Sequence, residues 1–366
     1  MSAHGPMPRS SWLFPALAVL LFLIVTATGY GFTLSAGGVV FAVVLLVILF
    51  GTVFAAVHHS EVIAEQIGEP FGTLLLTLSV TIIEVALITT IMLGDKPAPE
   101  LARDTVFAVV MIVCNGLVGL CILIGGLRYR EQGFQVSGAN VYLSGLIALA
   151  TITLIIPNYT LTTPGPMYST LQLGFVDLVT IVLYGVFLYT QTVLHRDYFI
   201  NQTGDDEAGG TSHLSGKMLA VSIALLLVSL SAVVLLAKKF SLVVDAVAAM
   251  IGAPPAFAGL LVALLILMPE GVSAIAAARK NDLQKSINLA LGSSLATIGL
   301  TIPAVGIATY AFDQPLVLGL NPQNTALLFL TFLLSMLTFG TGRTNVLFGL
   351  VHLVVFAVYV FMVFVP

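Results

Sequence analysis

Charge is what this sequence has least of: Asp, Glu, Lys and Arg together make up 8% of its 366 residues, where a soluble domain carries about 25%. That shortage excludes a soluble globular domain. The net charge is only −4 and no Lys/Arg run occurs, so neither nucleic acid nor a cluster of anionic headgroups is expected as a partner. Cysteine is almost missing. Cys114 and Cys121 stand seven residues apart on one expected helix, about 10 Å of rise and beyond the reach of a disulfide. They read as small apolar packing residues. Signatures of covalent or metal chemistry are missing too: there is no HExxH and no GxD aspartate pair, and Asp177 and Asp245 stand alone near expected loops. The chain does not read as an enzyme.

Apolar residues, by contrast, make up 58% of the chain. Runs of them close to the ~20 residues needed to cross a bilayer fall near 12–29, 38–57, 70–93, 104–127, 138–156, 171–193, 218–237, 254–278, 286–311, 323–340 and 344–365. The expectation is an all-α polytopic membrane protein of about eleven transmembrane helices, seated in the lipid bilayer. Arg9 followed by the apolar stretch from Trp12 to Thr28 could pass for a secretory signal. With no small-residue cleavage site after it, a first transmembrane helix is the better reading. Loops alternate sides, and Lys and Arg divide nine to four in favour of the side holding the N terminus. By the positive-inside rule the N terminus is cytoplasmic and the C terminus outside.

Setting aside residues 1–37 as an N-terminal helix with its lead-in leaves ten spans, which divide into five over 38–194 and five over 218–366 around a polar linker, 195–217. In each set the second span carries one glutamate near its middle, Glu84 or Glu270, behind a connector that ends in Ile-Gly (Glu61 to Gly68, Phe240 to Gly252). Five is odd, so the second set must be inverted relative to the first, the arrangement in which transporters bind substrate near the midplane. The linker, with Asp197, Asp205, Asp206 and Glu207 among Gly and Ser, reads as a solvated cytoplasmic connector.

A carboxylate at mid-membrane costs at least ~2.5 kcal/mol unless protonated or partnered, so both glutamates are functional candidates by default. Thr77 and Thr81 share the helix face of Glu84, and hard cations favour such oxygen ligands. Back-bonding to their own helix is the alternative use of these hydroxyls, and of Ser273. Pro269 lacks an N–H, which frees the carbonyl of Leu265. The spans that follow each glutamate are rich in small residues, including Gly116, Gly119, Gly292 and Gly299, and these let backbones approach or leave room for an ion. Asn115, Ser293 and Ser294 on those spans are candidate neutral ligands. Glu61, Glu65 and Glu69, at a spacing of four, would form an acidic cation entrance or simply a solvated helix face. His352, inside the last span, reads as a hydrogen-bonded packing residue rather than a proton relay.

The stretches GEPFGTLLLTLSVTIIEVALI, CNGLVGLCILIGGLRYREQ and MPEGVSAIAAARKNDLQKSINLALGSSLATIGLTIP resemble the calcium/cation antiporter superfamily. The likeness is greatest to the ChaA-type bacterial calcium/sodium-proton antiporters of its calcium/proton exchanger family, and it extends over roughly residues 38–366. Where many exchangers have Gly-Asn-Ala before each glutamate, this chain has Thr81-Ile82-Ile83 and Leu267-Met268-Pro269. The resemblance implies that Glu84 and Glu270 are the essential pair, that Asn115, Ser293 and Ser294 fall among the neutral ligands, and that the setting is a prokaryotic cytoplasmic membrane. The expected partners are then inorganic cations (Ca²⁺, Na⁺ or K⁺) and protons, with no resident cofactor. A cation channel without proton coupling is the rival reading.

Overall fold

The computed structural model describes residues 8–30, 32, 35–94, 98–199 and 216–365. Along the chain run α1 (Arg9–Thr28), α2 (Ala36–Ile67), α3 (Phe71–Met92), α4 (Leu101–Met111), α5 (Val118–Tyr129), α6 (Val136–Ala150), α7 (Thr170–Tyr189), α8 (Gly216–Ile251), α9 (Ala256–Arg279), α10 (Leu283–Ala296), α11 (Ile302–Ala311), α12 (Pro322–Phe339) and α13 (Val346–Phe364). A π-helical turn at Ile112–Leu117 joins α4 to α5, and another at Thr297–Thr301 joins α10 to α11, so each pair makes one span. Among the described residues, eleven helical segments are long and apolar enough to cross a membrane. The protein is a polytopic all-α membrane protein, as its composition demands. Side chains cap several of these helices: Ser35 accepts from the Gly38 N–H, Ser169 and Gln172 form a capping box, and Asp282, Asn321 and Asn345 cap α10, α12 and α13.

Two helices are far longer than their apolar runs. α2 has 32 residues and α8 has 36, because the expected connectors after residues 57 and 237 continue them as helix. Neither connector contains Gly or Pro before its end, so polarity changes the solvent around the helix without breaking its backbone. Both stop at a glycine of positive φ, Gly68 at 77° and Gly252 at 65°. Gly68 has ψ 174°, a region open essentially to glycine alone. No atom lies within 4 Å of where its Cβ would be, so substitution there tests backbone conformation and nothing else. Gly68→Ala is expected to cost about 1–3 kcal/mol, read as a lowered thermal unfolding midpoint of the purified protein.

The helices gather into two compact units, Met1–Pro97 with Glu207–Gly252 and Ala98–Asp206 with Ala253–Pro366. These cut across the sequence division at the linker, since α8 joins α1, α2 and α3. Of the linker's acids, Asp197 is exposed, while Asp205, Asp206 and Glu207 lie outside the described residues. In the first unit α2 packs on α1, α3 and α8. The His59 Nε2–H donates to the Ser11 carbonyl at 2.9 Å, and Gly51 admits the Phe14 ring, which a Cβ there would overlap.

In the second unit α4 and α9 cross closely: a Cβ at Gly259 would sit 2.8 Å from the backbone of Asp104 and Thr105. α9 packs also on α10 and α5, and α5 on α13. A short antiparallel pair, β1 (Glu131–Gly133) with β2 (Arg343–Asn345), ties the end of α5 to the start of α13. Three-residue strands leave no periodic signal, and the sequence reading has none. Cys114 and Cys121 are buried free thiols.

Candidate functional site

Glu84 sits near the middle of α3, a 22-residue helix whose other residues are all uncharged. It is 1% exposed, and Thr81, nearly a turn earlier, is 8% exposed. Thr77 spends its hydroxyl hydrogen on the Thr73 carbonyl at 2.9 Å, the back-bonded alternative. Glu61 and Glu65 are exposed on the last turns of α2. Glu69 departs from the expected stripe. Gly68 turns the chain before it, so Glu69 lies past the helix and accepts from the Thr73 hydroxyl at 2.7 Å.

The remaining candidates belong to the second unit. α9 runs through Pro269 without a break, and Leu265, whose carbonyl loses its usual donor there, is 1% exposed. Glu270, the next residue after Pro269, is half-buried, and Ser273 is exposed. Ser293 is half-buried. Ser294 is fully buried, and its Oγ has no hydrogen-bond partner among the described residues. Asp177 and Asp245 lie within α7 and α8 rather than beside loops, Asp177 being buried.

Asn115 lies in the first π turn, completely buried, and both ends of its amide are engaged. Its Nδ2 donates to the Thr331 hydroxyl on α12 at 2.8 Å, and the Thr331 hydroxyl donates to the Leu327 carbonyl at 2.8 Å. Its Oδ1, which can only accept, lies 3.2 Å from His352 Nδ1 on α13, and His352 Nε2 lies 3.0 Å from the Thr338 hydroxyl. Because Oδ1 only accepts, Nδ1 carries the proton of this contact, and a neutral ring then accepts from the Thr338 hydroxyl at Nε2. Asn115 is therefore a strut between α12 and α13 as well as a candidate ligand, with one Oδ1 lone pair still uncommitted. His352 has the packing role expected of it.

Most glycines of these spans do not leave ion-sized space, although a Cβ at Gly292 would meet only the Tyr142 ring at 3.6 Å. A Cβ at Gly119 would lie 2.9 Å from His352, one at Gly116 3.3 Å from the Phe356 ring, one at Gly299 2.8 Å from Tyr184, and one at Gly125 would overlap Gln132. Neighbouring helices and side chains fill the room that small residues open, because an empty gap forfeits dispersion contacts. Each of these spans also contains a π turn, as do the continuations of α6 and α7, and such turns free backbone carbonyls and recur at functional sites. Sequence gave no sign of them.

The chain matches the sodium/calcium exchanger protein family over residues 36–193 and 221–365. A Sinorhizobium fredii protein, y4hA, named as a candidate ionic transporter, is 44% identical over 366 residues, 100% of this chain and 98% of that one. The sodium-potassium/proton antiporter ChaA of Escherichia coli is 38% identical over 363 residues, 97% of this chain and 96% of that one. The solved structure of the Ca²⁺/H⁺ antiporter YfkE has the same fold, with a TM-score of 0.71 and 19% identity over 98% of this chain and 100% of that one. With the family matched on both sides of the linker and a full-length relative above a third identical, this chain is a member of the sodium/calcium exchanger family.

Proposed function

We propose that this protein is a secondary antiporter that exports Ca²⁺, Na⁺ or K⁺ from the cytoplasm in exchange for protons, with Glu84 and Glu270 holding cation and protons in turn. The observation that carries the proposal is Glu84, a carboxyl 1% exposed near the middle of an apolar span. A carboxylate at that depth is costly until a cation or a proton neutralises it. One divalent ion neutralises two carboxylates, and so do two protons. One monovalent ion neutralises a single carboxylate and leaves the other to a proton. The loaded forms are then electrically matched and the empty ionised form is not, which couples the two fluxes. The names of its relatives support both sides of the exchange, monovalent ions with protons and Ca²⁺ with protons.

In this reading Thr81, Ser293, Ser294, the Leu265 carbonyl and the remaining lone pair of Asn115 supply neutral oxygens to the cation. Glu61, Glu65 and Glu69 raise its concentration at a cytoplasmic entrance. Rocking of the two inverted halves, 38–194 and 218–366, would expose the site alternately, with the N terminus inside and the C terminus outside. The test is reconstitution into vesicles with an acid interior, offering Ca²⁺, Na⁺ and K⁺ separately outside. The expected result is cation uptake against its gradient with matching loss of internal protons. Cation entry that only equilibrates, with no proton loss, identifies a channel and overturns the proposal.

A further inference from the structure

Asp177 takes no part in that mechanism, yet its surroundings are the less ordinary ones. It is the eighth residue of α7, roughly 10 Å along the helix from its start, and it is 8% exposed. No described residue hydrogen-bonds its carboxylate. Oδ1 is enclosed without a partner among the described residues, and the Thr180 hydroxyl donates to the Asp177 backbone carbonyl rather than to its side chain. The carboxylate lines a cavity of about 570 Å³ between α7, α11 and the loops that flank them. No Lys, Arg or His is among the described residues around that space.

The oxygens that do line it are those a cation uses. Asp313, Thr309, Gln314 and Tyr168 share the wall with Asp177. Thr309 and Tyr168 give their hydrogens to the carbonyls of Gly306 and Ile152, which leaves their oxygen lone pairs available to accept. The carboxylate packs directly against Gly306, where a Cβ would lie 2.8 Å from Asp177 Oδ2. A buried acid with no counter-charge inside a span is costly and marks an ion pathway or a bound ion, and a cavity of this size holds a cation together with water ligands.

We propose that this cavity is a second binding site, for a hydrated metal cation, with Asp177 as its buried carboxylate and Asp313 as a second carboxylate at its rim. The inference stands apart from the role given to the two glutamates. The Lys/Arg distribution puts this end of the spans outside, so the site would hold a cation on the release side.

Tyr168 and Tyr310 line the same cavity, which provides a local readout. Tb³⁺, a stand-in for Ca²⁺, emits when a nearby tyrosine absorbs, so ultraviolet excitation reports an ion bound in this cavity. Purified full-length protein titrated with Tb³⁺ is expected to show sensitised emission that Ca²⁺ competes away. Asp177→Asn should weaken the Tb³⁺ affinity by about tenfold or more, since a unit charge next to the ion is lost. Glu84→Gln/Glu270→Gln should leave that component in place, and its loss there alone, with Asp177→Asn unaffected, overturns the proposal. Tyr310 is exposed, so Tyr168→Phe/Tyr310→Leu keeps the inference falsifiable even if Asp177→Asn fails to fold. That double variant should lose most of the sensitised signal, and unchanged emission from it would place the ion elsewhere. Uptake assays separate the two ideas, because loss of exchange in the glutamate variants bears on their role and not on this cavity.

Discussion

Glu84→Gln and Glu270→Gln, each alone, are expected to reduce proton-driven Ca²⁺ uptake into vesicles by at least about 100-fold, since a unit charge pair at 4 Å in an effective dielectric of about 20 is worth about 4 kcal/mol. Gln keeps the size of Glu and a carbonyl oxygen, so the variant tests charge and proton exchange rather than packing. A divalent ion facing one carboxylate instead of two carries an uncompensated charge into a dry region. A monovalent ion does not. Na⁺ exchange should therefore fall less than Ca²⁺ exchange in the single variants and disappear in the double variant, where neither charge nor a titratable proton remains. Normal proton-coupled Ca²⁺ uptake by both single variants would remove the glutamates from the mechanism. Equal loss of Na⁺ and Ca²⁺ in the single variants would instead show that both carboxylates serve every ion.

Some of this was legible in the sequence and some was not, for physical reasons that differ from residue to residue. Glu84 stands out because one ionisable group in an apolar span is expensive wherever that span goes. The number of spans follows from hydrophobic length alone. The lengths of α2 and α8 do not, since an apolar run ends where the solvent changes while a helix ends where the backbone must turn, here at Gly68 and Gly252. The same distinction displaced Glu69 from the acidic stripe. His352 was recognisable as a polar residue needing partners, but Asn115 lies 237 positions away in the chain and nothing local announces the pairing. The π turn that carries Asn115 depends on how neighbouring helices fit around it, which a one-dimensional pattern does not encode. Small residues were visible as small. What fills the space beside them is decided by the opposing helix.

That opposing helix supplies the second large effect: Gly349→Val is expected to destabilise the second unit by about 3 kcal/mol or more, the upper range for overpacking. α5 and α13 meet along a single antiparallel seam. Gly126 faces Val346, Leu123 faces Gly349, Gly119 faces Gly349 and His352, and Gly116 faces Phe356, so positions advance on one helix as they fall on the other. A Cβ on Gly349 would lie 2.7 Å from the Leu123 nitrogen and 2.8 Å from the Gly119 carbonyl oxygen. Both obstacles are backbone, and neither can rotate away as a side chain would, so the helices must separate. Membrane helices gain their association from such close packing and from hydrogen bonds, without a hydrophobic drive between apolar surfaces. Separation also pulls His352 from Asn115, leaving two fully buried polar side chains short of a partner, about 1–3 kcal/mol for each unsatisfied group. The expected result is a large fall in the temperature at which detergent-solubilised protein stays monodisperse, with Gly349→Ala falling less. In the native protein, histidine ¹⁵N shifts should report the neutral Nδ1–H form at His352, and in Gly349→Ala that signature should weaken as the seam opens. A Gly349→Val protein as heat-stable as the parent would mean that the helices do not approach at this glycine, and the strut through Asn115 would lose its support.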